Sequence, residues 1–367
     1  MNSETVAVAM SGGVDSSMAA ALLKQAGHDV VGITLQLWPK AAADLDRHHG
    51  CCSLDAVEDA RRVASHLDIP YYVLDVQEEF QARVVEPFLA DYEEGRTPNP
   101  CISCNTEVKF DLLLRKARSI GAAALATGHY ARVESDGARY RLLRAADPGK
   151  DQSYVLYGLG QDELRDARFP LGTWRKPDVR AAARSLGLLT ADKPDSVEIC
   201  FVTGGDYREL LARRRADAGG EIRHVDGTRL GNHAGIGNYT VGQRSGLGAL
   251  PRGMSGPLFV VDIDADARVV TVGPREALRR TSLLVGELTF VAGEPVAAAF
   301  DADVRVRYGA EPVPARVEVG AGGTATILPH EPLSSASPGQ AAVLYRGDEV
   351  LGGGRILRAA VPEAVPA

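Results

Sequence analysis

A strand, a glycine-rich turn and a helix follow one another at the start of this chain, and that order restricts its fold more than any other feature. Residues 5–9, TVAVA, are small or β-branched; MSGGVDSS (10–17) brings two glycines, hydroxyls and an aspartate; the following AAALLKQAG is rich in helix formers and closes at Gly27. The alternation continues. DVVGITLQLW (29–38) predicts a second buried strand, SLDAVEDARRVASHLDIP (53–70) a helix stopped by proline, and YYVLDV (71–76) a third strand. A helix over about 78–94, a loop GRTPNPCISCN (95–105), a helix EVKFDLLLRKARSIG (107–121) and a strand AAALATGHY (122–130) come next, and RKPDVRAAARSLG (175–187) is the last clear helix of this part. Strands alternating with helices predict an α/β fold with a doubly wound parallel sheet, whose ligands bind at the carboxyl ends of the strands.

From about residue 205 glycine becomes frequent and the strands shorten. GPLFVVDIDADARVVTVG (256–273) reads as a hairpin, and residues 282–358 alternate as in DVRVRY, ARVEV, TATIL and AAVLY, predicting a small β-barrel or sandwich. The expected organisation is a nucleotide-binding catalytic domain over 1–205, a small central domain over 206–280 and a C-terminal β-barrel over 281–360. The 367 residues suffice for that, and 45% hydrophobic with 24% charged residues is ordinary for a globular chain. The apolar runs are too short for a membrane helix and no basic leader precedes one, so a cytoplasmic place is expected. A net charge of −7 argues against a broadly basic nucleic-acid coat, although RR (61–62) and RRR (213–215) admit a local basic face.

The glycine turn suits phosphate: successive backbone amides and a helix N-terminus make an anion cradle. Ser11, Ser16 and Ser17 add hydroxyls, and Asp15 suits Mg²⁺. A Walker loop ends in Gly-Lys-Ser/Thr because its lysine reaches the β and γ phosphates. This loop has no such lysine, which points to ATP split between its α and β phosphates, with pyrophosphate leaving. Strand, SGGVDS and helix together resemble the PP-loop ATP pyrophosphatase superfamily.

The five cysteines are Cys51, Cys52, Cys101, Cys104 and Cys200. An odd, sparse set is a poor disulfide framework. Thiolates are strong nucleophiles able to carry persulfide sulfur, so NPCISCN and EICF suggest sulfur chemistry. Taken alone, Cys200 also reads as a small buried hydrophobe, and Cys101 with Cys104 as half a zinc site. Cys51 and Cys52 read as a redox or sulfur-receiving pair, or as residues without a role.

In order along the chain, MSGGVDSS, GRTPNPCISCN with KFD, ATGHYAR, KDQSYVLYGL, KPDSVEICF, TVGQRSGLG and LGGG resemble the bacterial tRNA-specific 2-thiouridylases over nearly the whole length. That resemblance implies ATP-dependent 2-thiolation of the wobble uridine in tRNAs for Lys, Glu and Gln. Ala9, Met10, Ser11, Gly12, Gly13, Val14, Asp15 and Ser16 would then hold ATP, with Leu35 and Gly128. Cys104 would be the nucleophile and Cys200 the persulfide carrier. Asn99, Pro100 and Cys101 would face the target base; His129, Lys150, Asp151, Gln152, Arg307, Tyr308 and Gln340 would meet tRNA. The implied partners are tRNA and a cysteine desulfurase or sulfur-relay protein, with no membrane.

One position departs from the family: an aspartate, its proposed acid–base group, is replaced here by Cys101. Either Cys101 is a tolerated variant beside a Cys200–Cys104 relay, or Cys101, Cys104 and Cys200 hold a [4Fe–4S] cluster, as in related superfamily members. Rival classes are an amide-forming PP-loop synthetase, which needs no thiols, and a tRNA- or nucleotide-binding module without turnover.

Overall fold

The computed structural model describes residues 4–37, 54–195, 199–202, 207–214, 219–247, 256–334 and 336–360. Cys51 and Cys52 lie outside these, as does Arg215 of the RRR run. Five parallel strands form the first sheet: β1 (Thr5–Ala9), β2 (Asp29–Gln36), β3 (Tyr71–Asp75), β4 (Ala124–Ala126) and the two-residue β7 (Ala167–Arg168), in the order β3-β2-β1-β4-β7. The central strands are apolar and inaccessible to water: Val6, Ala7, Val8, Ala124, Leu125 and Ala126 are fully buried, which explains their unbroken apolar runs. Helices α1 (Val14–Gln25) and α2 (Leu54–His66) follow β1 and β2, and Lys176–Ser185 packs beside α1.

A segment expected to be coil is helical. Pro100–Ser103 opens a continuous helical stretch that runs through wide π-type turns over Cys104–Leu113 and ends at Ser119. The signals were in the residues themselves: the Asn99 side chain accepts from the Cys101 amide at 3.1 Å as an N-cap, and Pro100 occupies the first turn. Cys101 and Cys104 therefore sit three residues apart on a helix start. The strand expected over 122–130 is shorter, Ala124–Ala126.

Two further strands, β5 (Ala131–Ser135) and β6 (Tyr140–Arg144), form a hairpin that leaves the first sheet. A second sheet holds β8 (Gly220–His224), β9 (Arg229–His233), β10 (Phe259–Asp264) and β11 (Val269–Gly273), the last two being the expected hairpin. After the short pair β12 (Arg279–Arg280) and β17 (Leu333–Ser334), six strands close a barrel: β13 (Ser282–Phe290), β16 (Ala325–Pro329), β15 (Val313–Val319), β14 (Ala299–Arg305), β18 (Ala341–Arg346) and β19 (Glu349–Ala360), which returns to β13. Closure removes the exposed edges that a sandwich of so few strands would leave.

The barrel is docked on the N-terminal half. Hairpin β5–β6 extends the barrel sheet by pairing Leu143 with Glu349, and Arg139 and Arg141 reach the Glu349 carboxylate at 2.9 and 3.1 Å. One hydrophobic cluster contains Ala7, Phe110, Leu125 and Tyr154 from the first half together with Val343, Tyr345 and Val350 from the barrel. Burying a Val, Leu or Phe of this cluster contributes roughly 1.5–3 kcal/mol. Among the described residues no helix is long and apolar enough to cross a membrane.

Candidate active site

The glycine turn lies between β1 and α1, with Gly13 as the residue preceding the helix. Ser16 Oγ accepts from the Ser11 amide at 3.1 Å and lies 3.2 Å from Ser11 Oγ, while Ser17 Oγ donates to the Gly13 carbonyl at 2.8 Å. These bonds are all local, so the turn shapes itself. Gly12 has φ +69°, and a Cβ there would stand 2.1 Å from the Ala56 carbonyl oxygen. Gly128, beyond β4, is also too close for a side chain: its Cβ would be 2.7 Å from Ser16 N. Ala9 and Leu35 are half-buried in neighbouring strands, and Met10 and Val14 are buried beneath the turn. The cradle's form and the N-terminus of a twelve-residue helix fit a phosphate chain.

Asp15 is not an open carboxylate. Tyr130 Oη donates to Oδ1 at 2.8 Å, and Lys176 Nζ lies 2.8 and 2.7 Å from its two oxygens. Burial, with the Asp15 charge, holds the Tyr130 phenol well above its ordinary range. A magnesium ion would thus arrive with phosphate oxygens as most of its ligands. Lys193 Nζ donates to the Gly12 carbonyl at 3.0 Å and pairs with Asp59 at 2.6 Å. The loop lacks a lysine of its own, yet two from far along the chain stand at it. Sequence reading missed both; the only signal was a lysine beside proline and aspartate in each of KPDV and KPDS.

The cysteine helix occupies a different setting. Cys104 and Cys200 both pack, half-buried, against one apolar cluster that includes Phe80, Phe88, Leu112 and Phe201, while Cys101 is exposed. The approach to Cys101 is strapped from the barrel. Gln340 Nε2 donates to the Thr97 carbonyl at 2.7 Å, the Thr97 amide donates to the Pro338 carbonyl at 2.8 Å, and Arg355 pairs with Asp91, which also holds Arg96 at 2.9 Å. Among the described residues no group of three His, Cys, Asp or Glu side chains is placed to hold a metal ion.

Several expected tRNA residues are turned inward. Asp151 is buried and accepts from the Ala145 and Ser153 amides, from Ser153 Oγ at 3.0 Å and from Arg305 at 3.1 Å. Gln152 Oε1 accepts from the Tyr130 amide at 2.9 Å. His129 is buried between Phe110 and Phe169 with Nδ1 2.7 Å from Thr127 Oγ1; burial, then the Lys109 charge, keeps it neutral far below the usual histidine range. These three brace the fold at this edge. Lys150 is 40% exposed along its side chain and pairs with Asp195 at 2.8 Å. Arg307 is exposed, and Tyr308 is 46% exposed with its ring 6.2 Å from that of Tyr154. Burial and Asp151 raise the Tyr308 phenol, and Cys101 adds to this, placing the barrel's Tyr308 within electrostatic reach of the cysteine helix.

Comparison with known proteins agrees with this layout. Family profiles described as a tRNA methyl transferase HUP domain, a tRNA methyl transferase PRC-barrel domain and an aminomethyltransferase β-barrel domain match residues 4–204, 208–274 and 280–356. A tRNA-specific 2-thiouridylase of Roseiflexus sp. is 49% identical over 96% of this chain and 99% of its own. One from Geobacter metallireducens is 50% identical, covering 96% of each. A solved 4-thiouridine synthetase–RNA complex with bound ATP is 16% identical, with a TM-score of 0.37 over 57% of this chain and 50% of that one.

Proposed function

Because the chain belongs to the tRNA-specific 2-thiouridylase family and is by that membership a sulfurtransferase, we propose that it converts the wobble uridine of tRNAs for Lys, Glu and Gln to 2-thiouridine. The units that do so are taken as 1–205, 206–280 and 281–360. The glycine loop binds ATP with Mg²⁺, and the C2 oxygen of an unstacked uridine attacks the α phosphorus, releasing pyrophosphate. The terminal sulfur of a Cys200 persulfide then attacks C2. The Cys104 thiolate attacks the inner sulfur of that persulfide, leaving the terminal sulfur on C2 and a Cys104–Cys200 disulfide, while the uridine oxygen departs with AMP. A thiol reductant reopens the disulfide, and a cysteine desulfurase or relay protein reloads Cys200. Asn99, Pro100 and Cys101 face the base, and Lys150, Arg307, Tyr308 and Gln340 stand at the tRNA side.

The observation that supports this reading most is that Cys104 and Cys200, far apart in sequence, both pack half-buried against a single apolar cluster. Mass spectrometry of tRNA nucleosides after incubation with ATP and a desulfurase tests it. Cys104→Ala and Cys200→Ala should each abolish 2-thiouridine while ATP binding survives; thiolation by either variant would refute the relay. Anaerobically purified protein with broad absorbance near ~400 nm and about four irons per chain would instead favour a cluster on Cys101, Cys104 and Cys200. Pyrophosphate release separates both from a binding module without turnover.

A further inference from the structure

Lys176 opens the helix Lys176–Ser185 and is almost wholly buried. A buried ammonium requires carboxylate partners, and this one has two on different segments. Its Nζ bonds both oxygens of Asp15 and lies 2.8 Å from Asp195 Oδ1. Asp15 belongs to the first turn behind the glycine loop; Asp195 precedes Cys200 by five residues. Asp195 is gripped further by Lys150 at 2.8 Å and Arg180 at 2.7 Å, and Arg180 also donates to the carbonyls of Ala191 and Lys193. Lys193, in the same stretch, returns to the Gly12 carbonyl. Residues 191–195, which precede Cys200 in the chain, are therefore fastened to the ATP loop by side chains, with Lys176 as the group common to both.

We propose that Lys176 is a positioning residue that couples activation to sulfur delivery: by bonding Asp15 and Asp195 together, it registers the Cys200 segment on the nucleotide loop. The inference rests on the reading that this loop holds ATP and that Cys200 carries sulfur. A lysine placed within the loop, as in a Walker sequence, neutralises phosphate alone; one placed here also ties down the second reactant.

The coupling is measured as 2-thiouridine formed per pyrophosphate released, using the full-length protein, a tRNA transcript, ATP and a desulfurase. Asp195→Asn, which spares Asp15, should leave the KM for ATP within about twofold yet lower that ratio at least about fivefold. Lys176→Met should raise the KM for ATP about tenfold or more and lower the ratio as well, with Lys176→Arg recovering ATP affinity before the ratio. Thermal unfolding of each variant checks that it folds. Variants that lose both products in equal proportion, or that keep the wild-type ratio, overturn the coupling. Wild-type protein that releases no pyrophosphate on tRNA overturns the functional reading instead, a result visible before any variant is made.

Discussion

The glycine loop and the cysteine helix solve the same problem, holding reactive geometry at a strand-end edge, by opposite means. The loop's turn is made by consecutive residues, Ser11, Gly13, Ser16 and Ser17 bonding one another, with Ala56 leaving no room for change and only Lys176 and Lys193 added from afar. The cysteine helix has a local cap in Asn99, but its approach is held by Gln340, Pro338 and Arg355, more than 240 residues away. A site built locally tolerates movement elsewhere, whereas one strapped from another unit inherits that unit's docking. The barrel thus walls the approach to the cysteine helix.

Breaking the docking should have the largest effect. Asp151→Ala would leave Arg305 buried without its carboxylate and orphan the Ser153 and Ala145 donors, a loss of about 3–5 kcal/mol for a buried pair. Calorimetry should show a lowered or split unfolding transition; an unchanged transition would mean that the two halves do not share the core at Tyr154 and Tyr345. Gly12→Ala comes next. Its φ of +69° costs about 1–3 kcal/mol for a side-chain-bearing residue, and the Ala56 contact adds to it. ATP binding, read by titration, should fall steeply while persulfide loading of Cys200 persists.

Gln340→Ala inverts that pattern and so sharpens the comparison. Losing one hydrogen bond to Thr97 costs about 0.5–1.5 kcal/mol, ATP affinity should hold, and thiolation should slow. Equal losses in both steps would show that the strap serves the whole fold and not the cysteine helix. A further effect is in pH. His129 has a folded pKa below its unfolded value, so the unfolded chain takes up the proton first. The stability it contributes is present above about pH 6.5 and is lost as pH falls below that. Urea unfolding between about pH 7.5 and 5 should show this decline, and His129→Gln should flatten it.

Much of the fold was legible because short-range chemistry dictates it. Period-two and unbroken apolar runs marked β1, β2 and β3, and Gly27 and Pro70 marked the ends of elements. The hairpin β5–β6 was not read from the sequence, and its purpose, to extend a barrel sheet formed two hundred residues later, has no local signature. The cysteine segment read as coil because TPNP looks like a turn, although Asn99 and Pro100 are also what starts a helix. The resemblance implied that Asp151, Gln152 and His129 meet tRNA. What the sequence did not show is that Asp151 and His129 are buried and Gln152 half-buried, their polar atoms bonded to backbone and side-chain partners at a packed edge.

By itself, the sequence determined the parts that depend on neighbouring residues: the amide cradle, its glycines, the thiols at 101, 104 and 200, and the change from α/β to β near residue 205. Tertiary structure alone decided which distant charges complete the cradle. Lys176 and Lys193 reach a loop more than 160 residues earlier: the buried Lys176 ammonium demands the carboxylates of Asp15 and Asp195, and Lys193 bonds the Gly12 carbonyl.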